Sequence, residues 1–164
     1  MNFDSYNAVN MILSKTGNTA SIGLYYYGSI DFYVYTTSAV LANKAAPSTG
    51  VWHYLVGTYD GSNVTVYIDG VAGTPVAQTG NTNAVNTNLQ FGSKDGANYP
   101  INGYGDEARI SSIARSADWI KTEYNNQCSP STFYAYGALG ANGRQSSSGA
   151  AVPAVRVRGG VKFH

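Results

Sequence analysis

The stretch WHYLVGTYDGSNVTVYIDG at 52–70 limits the fold more than any other part of the chain. Two segments rich in aromatic and β-branched residues flank Asp60-Gly61-Ser62-Asn63, and that turn chemistry between them predicts a β-hairpin of strands 52–59 and 63–69. Asp69-Gly70 then turns the chain again. In the second strand Val64, Val66 and Ile68 alternate with Thr65, Tyr67 and Asp69, so one face is apolar. A lone hairpin is marginal in water, and its apolar face has to be covered by more sheet.

The rest of the chain supplies that sheet. Short apolar or aromatic segments separated by Gly, Asn, Asp and Ser predict further strands at 10–15, 21–28, 30–36, 87–92 and 102–112. In 30–35, Ile30, Phe32 and Val34 form a core face, while Asp31, Tyr33 and Tyr35 face away from it. Two packed antiparallel sheets meet these requirements. One helix of about nine residues is expected after Ser116: Ser116 can cap it, Asp118 complements its dipole, and Trp119, Ile120 and Tyr124 give it an apolar side. Pro130 stops it.

Only 12% of the residues are charged, against roughly 25% in a typical soluble domain. Water is met instead by neutral groups, with 19 Gly, 14 Tyr and many Asn, Ser and Thr. A net charge of +1 provides no field for nucleic acid or an acidic membrane, and no apolar run suggests membrane insertion. Residues 1–14 lack the apolar core of a signal peptide. The lone Cys128 excludes an internal disulfide. From Ala138 the composition turns to Gly, Ala and Ser, and every charge after Gly137 is basic (Arg144, Arg156, Arg158, Lys162). The expected division is therefore a domain over 1–137 and a flexible linker with a basic tail over 138–164. Val155, Val157, Val161 and Phe163 give the tail a weak strand-like pattern, with pairing onto an open sheet edge as the competing outcome.

The segments at 52–70, NLQFGSKDG at 88–96 and GYGDEARISSIARSADWIKTEYNNQ at 103–127 resemble the concanavalin A-like, laminin G-like family. The likeness spans roughly residues 10–127. It implies an all-β, two-sheet antiparallel jelly-roll sandwich with one short C-terminal helix. It also implies a recognition or adhesion module of a larger multidomain surface or secreted protein, hence an extracellular or cell-surface location and a glycan or surface protein as partner. Two departures stand out. The additional strand region expected ahead of Met11–Lys15 is not found, which reads as a truncated N terminus, and Gly105 replaces the usual Ile before Asp-Glu.

Some members of this fold are glycosidases, and retention in that chemistry needs two carboxylates about 5–5.5 Å apart. Glu107 and Glu123 are the only glutamates, Asp106 and Glu107 are neighbours pointing to opposite strand faces, and no pair emerges; an enzyme is not expected. Asp106, Glu107 and Arg109 are read as structural, with Glu107 and Arg109, two apart, pairing with each other or bonding nearby loop backbone, and a ligand-facing role as the alternative. No Ser/His/Asp arrangement is evident, and His53 reads as packed or hydrogen-bonded. The oxygen-rich loop with Asp95, Asn98 and Asn102 reads first as a solvated loop and, as the alternative, as a candidate metal site suited to calcium. Tyr25, Tyr27, Tyr33 and Tyr35 hold alternating strand positions, where they either cover sheet surface in a chain poor in charge or form a same-face ladder able to stack on sugar or protein. The leading function is recognition of carbohydrate or matrix polymer. The alternative is a structural spacer or assembly domain with no small ligand.

Overall fold

The computed structural model describes residues 1–15, 21–94 and 98–129. The described elements are β1 (Asn2–Phe3), β2 (Asn10–Lys15), β3 (Ile22–Tyr26), β4 (Ser29–Tyr35), β5 (Ala39–Ala45), β6 (Leu55–Tyr59), β7 (Asn63–Ile68), β8 (Val71–Ala72), β9 (Val76–Ala77), β10 (Gln90–Phe91), β11 (Gly103–Tyr104) and α1 (Ala117–Cys128). They form three antiparallel sheets. One has five strands in the order β10-β2-β3-β4-β5; a second joins β6, β7 and β8, with β9 also on β7; the third is the short pair β1-β11.

The alternation read in the sequence positions the core. Ile30 and Val34 are fully buried on the inner face of β4, and Val64 and Val66 are fully buried on β7. A bulge between Met11 and Leu13 breaks strict alternation in β2, so both Ile12 and its neighbour Leu13 reach the core. Phe32 closes the space between the two larger sheets by lying on Gly57: a Cβ built there would come within 2.2 Å of the ring. The other face of β7 is covered too, since Thr65 and Tyr67 are also buried.

Several expectations need correction. β5 was not expected, because Ala, Asn and Lys in Ala39–Ala45 carry little strand signal. It forms because it pairs along the whole of β4, placing small Ala42 opposite Phe32. The predicted strand over 102–112 shrinks to Gly103–Tyr104. A strand needs a neighbour, and β1 offers only Asn2 and Phe3 to pair with it. Ahead of Met11–Lys15 the described residues form only the two-residue β1, whose Phe3 is fully buried. Gly105 stands where Phe91 occupies the space, the ring lying 2.4 Å from a notional Cβ.

The helix runs further than expected, over Ala117–Cys128, and Ser116 caps it by accepting the Trp119 N–H at 3.2 Å. Ile120 anchors it with no exposed surface, while Lys121 and Tyr124 pack against Gly70 at the turn after β7. Pro130 and the linker and tail proposed at 138–164 lie outside the described residues.

Candidate functional site

The outward face of the five-stranded sheet gathers aromatic rings around one carboxylate. Tyr25 on β3 stands directly opposite Asp31 on β4, and Asp31 stands opposite Asn43 on β5. Directly opposed side chains lie within contact range. Tyr33, two residues beyond Asp31, faces the same way. It sits opposite Gly23, where the missing side chain lets the ring lie down over β3: a Cβ at Gly23 would fall 2.2 Å from Tyr33 Cε1. Tyr25 and Tyr33 consequently meet edge to face, with ring centroids 5.7 Å apart.

Of the four candidate tyrosines, these two are brought together. Tyr35 shares their face, further along β4. Tyr27 does not join a ladder, because β3 ends at Tyr26 and the chain turns through Tyr27-Gly28. There Tyr27 is 65% exposed. The sequence reading missed Asp31 as a member of the site. Its only signal was an acid between Ile30 and Phe32 in a chain with few charges.

Asp31 is 4% exposed, and its carboxylate accepts a short hydrogen bond from Ser29 Oγ. Among the described residues no cation pairs with it. Burial therefore raises its pKa, against the opposing effect of the Ser29 hydroxyl. The Tyr25 phenol is pushed up to about 12, first by burial and then by the negative charge of Asp31 and the Tyr33 ring. Tyr33 is raised by burial as well. Both tyrosines stay neutral near pH 7 and present apolar faces with hydroxyl tips.

The other candidates serve the fold. His53 Nδ1 lies 2.7 Å from Asp69 Oδ2, and Nε2 lies 3.1 Å from the Ser48 carbonyl and 3.4 Å from Ser48 Oγ. A serine, a histidine and an aspartate thus stand in a row that the sequence did not reveal. The Asp69 carboxylate and the Ser48 carbonyl can both only accept, so a neutral ring donates to one of them, and its tautomer decides which. Asp69 Oδ1 also accepts the Tyr54 N–H at 2.9 Å. The result is a clasp across the start of β6.

Glu107 and Arg109 pair as expected, at 2.8 Å, although the chain there is not a strand and Glu107 has a φ of 52°. Arg109 also holds Glu123 of α1 at 2.7 Å, a long-range contact that spacing could not show. Both glutamates thus share one guanidinium. In the loop, Asp95 lies outside the described residues. The Asn98 main-chain oxygen accepts the Lys94 N–H at 2.9 Å, and Asn102 Nδ2 donates to Ser5 Oγ at 2.7 Å. No group of three or more His, Cys, Asp or Glu side chains that would hold a metal occurs among the described residues.

The fold is thus that of a mostly β, antiparallel sandwich with one short helix, the architecture of a concanavalin A-like domain. The family described as the concanavalin A-like lectin/glucanases superfamily, of laminin G type, matches residues 1–121, and the chain belongs to it. The match begins ahead of the region where the sequence resemblance was first visible and takes in β1. A search of curated proteins finds no match.

Proposed function

We propose that this domain is a non-catalytic recognition module that binds carbohydrate on the outward face of β3, β4 and β5. Membership of the superfamily fits a binding module in general, and the superfamily's own description spans lectins and glucanases. The observation that carries the finer reading is Asp31, buried beside the crossed rings of Tyr25 and Tyr33 with no cation to balance it. An unpaired buried carboxylate costs stability, and a spacer would gain nothing from it. In a sugar site it has a use: ring faces stack on the C–H face of a pyranose, and a carboxylate accepts two hydroxyl hydrogen bonds with charge assistance. Asn43 opposite Asp31 adds an amide donor and acceptor.

The absence of catalysis is part of the same proposal, since Glu107 and Glu123 are held by Arg109 and Asp31 has no second acid opposite it on either neighbouring strand. A surface or secreted setting within a larger protein follows from the binding role. Among the described residues no helix is long and apolar enough to cross a membrane. A glycan array tests the reading: the full chain should retain a defined set of glycans, Tyr33→Ala and Asp31→Asn should lose it, and Tyr27→Ala should keep it. Retention unchanged in Tyr33→Ala, or sugar released from the array by the protein, would reject the proposal.

A further inference from the structure

The two large sheets do not cover one another fully. β6 and β7 lie over β4 and β5, whereas the inner sides of β2 and β3 face an open cavity of about 1420 Å³. It is lined by Ile22 and the buried edges of Ile12 and Leu24, by β6, and by residues 106–115.

Among the described residues, β6 and residues 105–112 carry main-chain groups without a main-chain partner. The Asp69 N–H bonds the Tyr54 carbonyl, and the Asp60 N–H bonds the Asn63 carbonyl. In an antiparallel pair the bonded positions alternate. Val56 and Thr58 are therefore bonded to β7, and Leu55, Gly57 and Tyr59 turn their N–H and C=O groups to the free edge. Among the described residues β6 has no other strand neighbour. Across the cavity, residues 105–112 make no main-chain to main-chain hydrogen bond among the described residues. A third orphan lies on the same lining: Asn126 Oδ1 is buried without a partner.

A row of alternating donors and acceptors at strand spacing along β6, beside the apolar side chains of Ile22 and Leu55, defines the occupant as extended polypeptide. The dimensions agree. With strands about 4.8 Å apart, sheets about 10 Å apart and a rise of about 3.4 Å per residue, each residue of an inserted strand fills roughly 160 Å³. The cavity therefore holds about nine residues.

We infer that this groove is a strand-acceptor site for a second polypeptide, whose extended segment carries aliphatic residues at every second position and pairs with Leu55, Gly57 and Tyr59 along β6. Its apolar side chains rest on Ile22 and the buried edges of Ile12 and Leu24, and its other edge is offered to residues 105–112. The site is separate from the tyrosine face, which lies on the opposite side of the five-stranded sheet.

Amide hydrogen exchange of the full chain, followed by NMR, tests this with a synthetic peptide of about ten residues alternating Val and Thr and ending in two lysines. In the free protein the amides of Leu55, Gly57 and Tyr59 should exchange at least about tenfold faster than those of Val56 and Thr58, and the peptide should slow them by about tenfold or more. The same peptide N-methylated at alternate residues should leave them fast. Leu55→Pro removes a groove-facing donor but no bond to β7, and should weaken peptide binding by about tenfold while the other strands keep their protection. Amides at 55, 57 and 59 already protected in the free chain, or unchanged by millimolar peptide, would overturn the inference.

Discussion

Gly57→Ala is the sharpest probe of how the two large sheets meet. The new Cβ would lie 2.2 Å from Phe32 Cδ2, 2.3 Å from Cγ and 2.7 Å from Cδ1. Carbon atoms pack at about 3.5–4.0 Å, so the ring has to retreat by roughly 1.5 Å. It has little room to do so, being 7% exposed and opposite the fully buried Ala42. Overpacking of this kind costs about 1–3 kcal/mol. In a chain of this size each kcal/mol lowers Tm by about 2–4 °C, so a fall of about 2–12 °C is expected in a calorimetric melt. Phe32→Leu in the Gly57→Ala background should recover part of the loss, although Phe32→Leu alone destabilises, because the smaller side chain relieves the clash. A melting temperature for Gly57→Ala within about 1 °C of wild type would refute the packing of Phe32 on β6.

Three further outcomes follow from the site, the loop and the tail. Burial raises the Asp31 pKa above 3.8, so its protonated form favours the folded state; that contribution is full below the unfolded value and is lost as pH rises through the folded value. Asp31→Asn should therefore melt higher than wild type at neutral pH, with the gap closing on acidification towards about pH 4, and a lower Tm at neutral pH would reject the buried unpaired carboxylate. We propose that calcium, where it stabilises the protein, does so through the loop at 94–102: any rise in Tm should vanish in Asp95→Ala, and an equal rise in both proteins would move the site elsewhere. A chain ending at Gly137 should keep the melting temperature and circular dichroism of the full chain, as a linker and tail require, whereas a loss of several degrees would show that the terminal segment belongs to the fold.

What was legible in the sequence follows physical lines. Strands whose alternation pits Val, Ile and Phe against polar residues, as in Ser29–Tyr35 and Asn63–Ile68, announce both their existence and their inner face. Ser116 and Asp118 mark the helix start locally. β5 was hidden because its alanines are chosen for the room beside Phe32, a property of the neighbouring strand. The segment at 102–112 reads as strand but among the described residues finds a strand partner only at Gly103 and Tyr104, and pairing is not a local quantity.

The site divides in the same way. Strand alternation gave Tyr25, Tyr33 and Tyr35 a common face but carried Tyr27 too far, past the Tyr27-Gly28 turn. The roles of Gly23 and Asp31 depend on cross-strand register, which no single segment encodes. The row of Ser48, His53 and Asp69 likewise exists only once β6 and β7 are paired.

The most direct test of carbohydrate recognition is an NMR titration of the full chain with the glycan best retained on the array, following the amides and the tyrosine ring signals. Saturable shifts should concentrate on Tyr25, Asp31, Tyr33 and Asn43, leave Leu55, Gly57 and Tyr59 unmoved, and weaken by about tenfold in Tyr33→Ala, as the loss of one stacking ring requires. Shifts confined to other surfaces, or an unchanged affinity in Tyr33→Ala, would contradict a sugar site on this face.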